Sequence, residues 1–248
     1  MFTPEERAHL REELLRDAAE DRRIAGAALT GSAAEGREDR WSDVDLAFGV
    51  AEGVDLEAVL ADWTSKMYER HQAVHHVDVR AGAWVYRVFL RLDTMQVDLA
   101  FVPAAEFRAL GPSFRMVSGT AQEARHMPQP DGAWLIGMAW LYALHARSSL
   151  ARRKLWQAEY MISGARDHVL ALACVRLKLP AAHGRGMDQL PTDVTAPFEN
   201  ALVGRLDAGA MAHAFRVVLA GLRREIEAAD EELARKLAGP VEQLGVDL

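Results

Sequence analysis

The run Ile24-Ala25-Gly26-Ala27-Ala28-Leu29-Thr30-Gly31-Ser32 and, ten residues further on, Asp43-Val44-Asp45-Leu46 decide the fold. The first run is short and apolar and stops at a glycine. It predicts a buried strand that turns into a short helix, Ser32–Glu35. In the second run, acidic and aliphatic residues alternate, which predicts a strand from Asp43 to Val50. A two-residue period puts both carboxylates on one face and turns Val44 and Leu46 toward the core. Two carboxylates that close together repel and gain proton affinity unless a cation lies between them. A hard divalent ion such as Mg²⁺, held by one or two carboxylates with phosphate oxygens and waters, is the natural occupant.

Asp98 stands in another apolar strand, Gln96-Val97-Asp98-Leu99-Ala100-Phe101-Val102. A charged group among such neighbours needs a partner. If this strand lies beside the Asp43 strand, the three carboxylates converge; otherwise Asp98 pairs with an arginine such as Arg87 or Arg91. Gly31 permits close backbone approach, and the helix start together with the Ser32 hydroxyl can hold a phosphate. A phosphate seat beside metal-binding carboxylates is the equipment of phosphoryl chemistry.

The remaining pattern divides the chain. Thr3-Pro4-Glu5-Glu6 carries the marks of a capped helix start, with an apolar stripe to about Glu20. A helix over Asp55–Gln72 and strands at Val74–Val79, Trp84–Leu92 and Met95–Val102 follow, the last two joined at Asp93-Thr94 as a hairpin. Beyond Gly132 the spacing is helical: Trp134–Leu150, Trp156–Leu179, Ala196–Val203 and Ala208–Leu237, with Gly239-Pro240 as the final stop. The fold class expected is α+β, a catalytic domain over residues 1–110 followed by an α-helical domain over 111–248.

The 248 residues are half hydrophobic and carry a net charge of −7. Residues 1–110 hold 21 Asp/Glu against 13 Lys/Arg, whereas the rest hold 15 against 16. Neither half offers the basic surface on which long nucleic acids bind, so a nucleic-acid partner is not expected. An acidic surface suits a cationic small molecule, or an anion shielded by metal. No apolar run is long enough to span a membrane, and the first residues lack the features of a signal peptide, so a cytoplasmic location is expected. The single cysteine, Cys174, reads as a small core residue.

Together, Leu29-Thr30-Gly31-Ser32, Asp43-Val44-Asp45-Leu46 and Val97-Asp98-Leu99 resemble the signature of the DNA polymerase β-like nucleotidyltransferases. The resemblance covers about the first 105 residues. It implies a mixed sheet with flanking helices, Gly31 and Ser32 on a nucleoside triphosphate, and two Mg²⁺ ions on Asp43, Asp45 and Asp98. Ser42 matches a further position of that family and is expected on the nucleotide. The two-domain layout is similar to the bacterial antibiotic nucleotidyltransferases, which attach a nucleoside monophosphate to hydroxyls of aminoglycosides or lincosamides. The resemblance therefore implies transfer of a nucleoside monophosphate, AMP from ATP or another from its own triphosphate, to a small hydroxyl-bearing acceptor. Asp98 would be a metal ligand or the general base.

In the helical half, Lys154 is placed to reach phosphates. Glu159 stands with Ser163 and Arg166 on a polar stripe, where it could meet a cationic acceptor or serve as its base; a solvated helix face is the plainer reading. A homodimer, with domains closing across chains rather than within one, stays open. The competing reading of the whole is a nucleotide-binding regulator that keeps the fold without turnover.

Overall fold

The computed structural model describes residues 2–246 and divides the chain into two compact units, the first ending at Met127 and the second beginning at Pro128. Helix α1 (Pro4–Glu20) starts as its sequence dictates. The Thr3 side chain accepts from the Glu6 backbone, and the Glu6 carboxylate accepts in return from the Thr3 backbone. Strand β1 (Ile24–Thr30) follows, then a five-residue helix α2 (Gly31–Glu35), strand β2 (Val44–Val50) and helix α3 (Leu56–Arg70). Strands β3 (Ala73–Ala81), β4 (Trp84–Arg91), β5 (Gln96–Pro103) and β6 (Phe114–Gly119) complete the first unit.

The six strands form one mixed sheet in the order β3-β4-β5-β2-β1-β6. β2 and β5 are parallel; every other neighbouring pair is antiparallel. Helices α1 and α3 cover one face. Leu10, Leu14, Val59, Leu60, Trp63 and Met67 pack there on Val44, Leu46, Phe48, Val97, Leu99 and Phe101. Phe48, Trp63 and Phe101 form an aromatic cluster with ring centroids 4.8 to 5.8 Å apart. The opposite face carries a smaller cluster around Ala28, Ala47, Ala100, Trp84 and Phe107, so the residues near the triad's rung of β2 and β5 remain only partly covered.

The second unit is helical: α4 (Gly132–Ala151), α5 (Leu155–Arg176), α6 (Thr192–Glu199), α7 (Ala208–Ala229) and α8 (Glu231–Leu244). Helices α4 and α5 pack closely because their facing positions are small. Ala139, Ala143, Ala146, Ala158 and Ala165 are all fully buried, with Cys174 in the same core. Arg176 forks onto Glu225 across α5 and α7, with two bonds of 3.0 Å.

The architecture is therefore the α+β arrangement expected, a mixed sheet with flanking helices followed by a helical unit. Several details differ from the sequence reading; α6, expected over Ala196–Val203, spans Thr192–Glu199, and β2 begins at Val44 rather than Asp43. The first unit extends beyond residue 110, because β6 pairs with β1 and belongs to the sheet. The stretch read as one helix over 208–237 is two, since Asp230 ends α7 and caps α8 by accepting from Leu233. Pro240 does not stop α8. The helix runs through it at the loss of one backbone hydrogen bond, and Val241 and Leu244 beyond it bury against the core.

Candidate functional site

The register of β2 and β5 builds the site. Asp45 pairs with Asp98 across the parallel ladder, Val44 with Val97 and Leu46 with Leu99. Because paired residues face the same way, the aliphatic neighbours enter the helix-covered core and the two carboxylates share the other face. Asp43, one residue before β2, joins them. One ligand oxygen from each of Asp43, Asp45 and Asp98 lies within 4.8 Å of the others.

Three hard oxygen donors at that spacing suit a divalent cation with an oxygen shell. The charge state agrees. Burial above all, with the charge of Asp43 adding and a hydrogen bond from Gln96 opposing, pushes the Asp98 carboxyl up to about 6. A carboxyl that resists ionisation beside another carboxylate is stabilised by a cation. The alternative of an arginine partner for Asp98 is ruled out by where the arginines go. Arg87 forks onto Asp78, and Arg91 onto Asp93.

Gly31 explains why the strand end must be glycine. Its φ is +58°, and a Cβ there would overlap Asp45 Oδ2 and lie 2.9 Å from Asp45 Cγ. The turn from β1 into α2 thus packs its backbone directly on a triad carboxylate, with Ser32 the next residue. Ser42 is engaged otherwise. Its hydroxyl accepts from the Asp39 backbone at 2.9 Å and donates to the Asp39 carboxylate at 3.1 Å, which closes the turn leading into Asp43. The Asp39 carboxyl is held below its usual range, chiefly by a hydrogen bond from the Trp41 backbone and then by Ser42.

Lys154 and Glu159 belong to the second unit. Lys154 is exposed at the start of α5, and its backbone donates to Ser149. Glu159 accepts from Ser163 at 2.7 Å, as the polar stripe suggested, but Arg166 binds Asp167 instead.

Two contributors escaped the sequence reading. Gln96 donates through Nε2 to Asp43 Oδ2 at 3.2 Å and to Asp98 Oδ1 at 3.1 Å, bridging two members of the triad. Its place two residues before Asp98, on the same strand face, was the available signal. Arg7 on α1 is almost fully buried. It donates to Glu38 Oε1 at 3.1 Å and to the backbone oxygens of Asp39 and Ser42 at 2.5 and 3.1 Å. Arg7 thereby fixes the loop that delivers Asp43. A lone arginine in a helix gives no sequence signal for such a role.

No protein-family profile matches the sequence, and no curated protein matches it. Among solved structures, the chain is similar to an aminoglycoside 6-adenyltransferase from Bacillus subtilis. The two are 14% identical, the match covers 100% of both chains, and the TM-score is 0.44. Among the described residues no helix is long and apolar enough to cross a membrane.

Proposed function

We propose that the protein is a magnesium-dependent nucleotidyltransferase that moves a nucleoside monophosphate from a nucleoside triphosphate to a hydroxyl of a small acceptor. The observation that carries this reading is the convergence of Asp43, Asp45 and Asp98 beside the Gly31-Ser32 turn. Three carboxylates this close together suit two divalent ions, which when bound would neutralise phosphate charge and lower the pKa of a hydroxyl. Asp43 and Asp45 would hold the ion on the triphosphate, and all three aspartates the ion on the acceptor side.

Gly31 and Ser32 bind the triphosphate end, with the Ser32 hydroxyl donating to a phosphate oxygen. The acceptor hydroxyl oxygen forms a bond to the α-phosphorus as the bond from that phosphorus to the bridging oxygen breaks, and pyrophosphate departs. The hydroxyl proton passes to Asp98, which offers one carboxylate oxygen to the ion and has a second left to accept it. Lys154 is proposed to bind phosphate and Glu159 a cationic acceptor such as an aminoglycoside.

The test is incubation with Mg²⁺, labelled ATP or GTP and a panel of hydroxyl-bearing antibiotics. Expected are pyrophosphate release and an acceptor heavier by one nucleoside monophosphate, both abolished by Asp43→Ala. Nucleotide binding without transfer to any acceptor would favour the silent regulator. Undiminished transfer by Asp43→Ala would reject the assigned site.

A further inference from the structure

A small cavity of about 220 Å³ opens beside the triad, walled by Phe2, Arg40, Trp41, Asp43, Thr94 and Gln96. Two of its walls, Asp43 and Gln96, belong to the carboxylate site. The others are two aromatic rings, a guanidinium and a hairpin turn, where Thr94 has φ +71°. Trp41 is 73% exposed although it is the largest side-chain type, and it lies two residues from a triad member. Its presentation is built in. Its backbone donates to Asp39 at 2.8 Å, inside the turn that Ser42 and Arg7 brace. The Arg40 guanidinium carbon lies 5.0 Å from the centroid of the Trp41 ring.

An exposed indole on a braced turn is a stacking platform. The cavity is smaller than pockets that enclose a whole drug-sized ligand, so it suits one ring system of a larger molecule anchored elsewhere. An indole face favours a flat aromatic ring over a puckered sugar ring. Asp43, in the cavity wall, is proposed to hold the ion on the triphosphate as well as the one on the acceptor side, so the cavity adjoins both substrates, and of the two the donor nucleotide is the one that must carry a flat aromatic ring to stack. We infer that Trp41 is the platform for the nucleobase of the donor triphosphate, with Arg40 and Phe2 framing the ring. This inference rests on the transferase reading above.

Calorimetric titration of the full chain in Mg²⁺ separates the two claims, with a nonhydrolysable ATP analogue and inorganic tripolyphosphate as probes. Trp41→Ala is expected to weaken the analogue by roughly tenfold to a hundredfold, the worth of one stacked base, and to leave tripolyphosphate within about twofold. Trp41→Phe keeps most of the analogue affinity. The exposure of Trp41 makes misfolding of these variants easy to exclude by their thermal midpoints. Unchanged analogue affinity in Trp41→Ala, or an equal loss for both probes, overturns the platform alone. Wild-type protein that binds neither probe overturns the transferase reading and the platform with it.

Discussion

The backbone of Gly31 lies against the carboxylate of Asp45, so close that a Cβ at Gly31 would occupy the space of Oδ2. The turn from β1 into α2 and the strand that carries Asp45 are therefore one packed unit. Gly31→Ala must displace Asp45 or the turn, and it also places an L-residue at φ +58°, a strain of about 1–2 kcal/mol. The expected result is a loss of transfer activity on the order of a hundredfold, since an ångström of misplacement costs about that much. The thermal midpoint should fall by only several degrees. Kinetics and a melting curve on the same preparation check this; full activity would show that the contact is not needed.

Asp98 sets stability against function. Its folded-state carboxyl is pushed up to about 6, above the ordinary 3.8. For an acid with a raised value, the contribution to stability is present below the ordinary value and is lost as pH rises through 6. In metal-free protein at pH 8 the ionised group is thus a liability of at most about 2 kcal/mol after solvent screening. Asp98→Asn keeps an oxygen to accept from Gln96 and removes the charge. Expected are a higher melting temperature than wild type in EDTA at pH 8, and loss of the upward shift that Mg²⁺ or Mn²⁺ gives wild type. A variant that melts lower in EDTA and still responds to metal would contradict both halves.

The sheet and the triad were legible because they rest on local, periodic patterns. Alternation in Asp43–Leu46 and Gln96–Val102 fixed which face each carboxylate takes, and the Gly31-Ser32 turn followed from the end of an apolar run. What stayed hidden depends on partners far along the chain. β6 is a short edge strand of mixed composition, defined by its pairing with β1 rather than by its own pattern. Arg7 binds residues more than thirty positions away, and Gln96 acts only once β2 lies beside β5. The break between α7 and α8 was written as Asp230-Glu231-Glu232, a capping residue with acids after it, but the apolar spacing ran on past it.

Asp21 gives a pH dependence of the opposite sign. Hydrogen bonds from Arg23 foremost, opposed by burial and joined by the Trp63 indole at 3.1 Å, pull its carboxyl down to about 2. A depressed acid contributes stability above the ordinary value of 3.8, and the contribution disappears as pH falls through 2. Its size is about 2 kcal/mol at most. Asp21→Asn should lower urea stability by roughly 1–2 kcal/mol at pH 7, and the gap to wild type should narrow steadily between pH 4 and pH 2. A gap that stays constant over that range would mean the loss comes from packing around Trp63 rather than from charge.

Arg7 offers the sharpest separation of positioning from chemistry. It touches none of the three aspartates, yet it holds the carbonyls of Asp39 and Ser42 and, with Arg11, the carboxylate of Glu38. Removing it takes a donor from the backbone oxygens of Asp39 and Ser42 and one of the two arginines from Glu38, which keeps Arg11, a loss of about 1–3 kcal/mol. Arg7→Ala should therefore lower stability and reduce kcat, because the loop that delivers Asp43 loses its brace. Arg7→Lys keeps the charge but not the fork, and should recover stability better than rate. The pH profile of the remaining activity should match wild type, since no titrating group of the triad has changed. A shifted profile, or a kcat that survives Arg7→Ala while stability falls, would place Arg7 in the core alone.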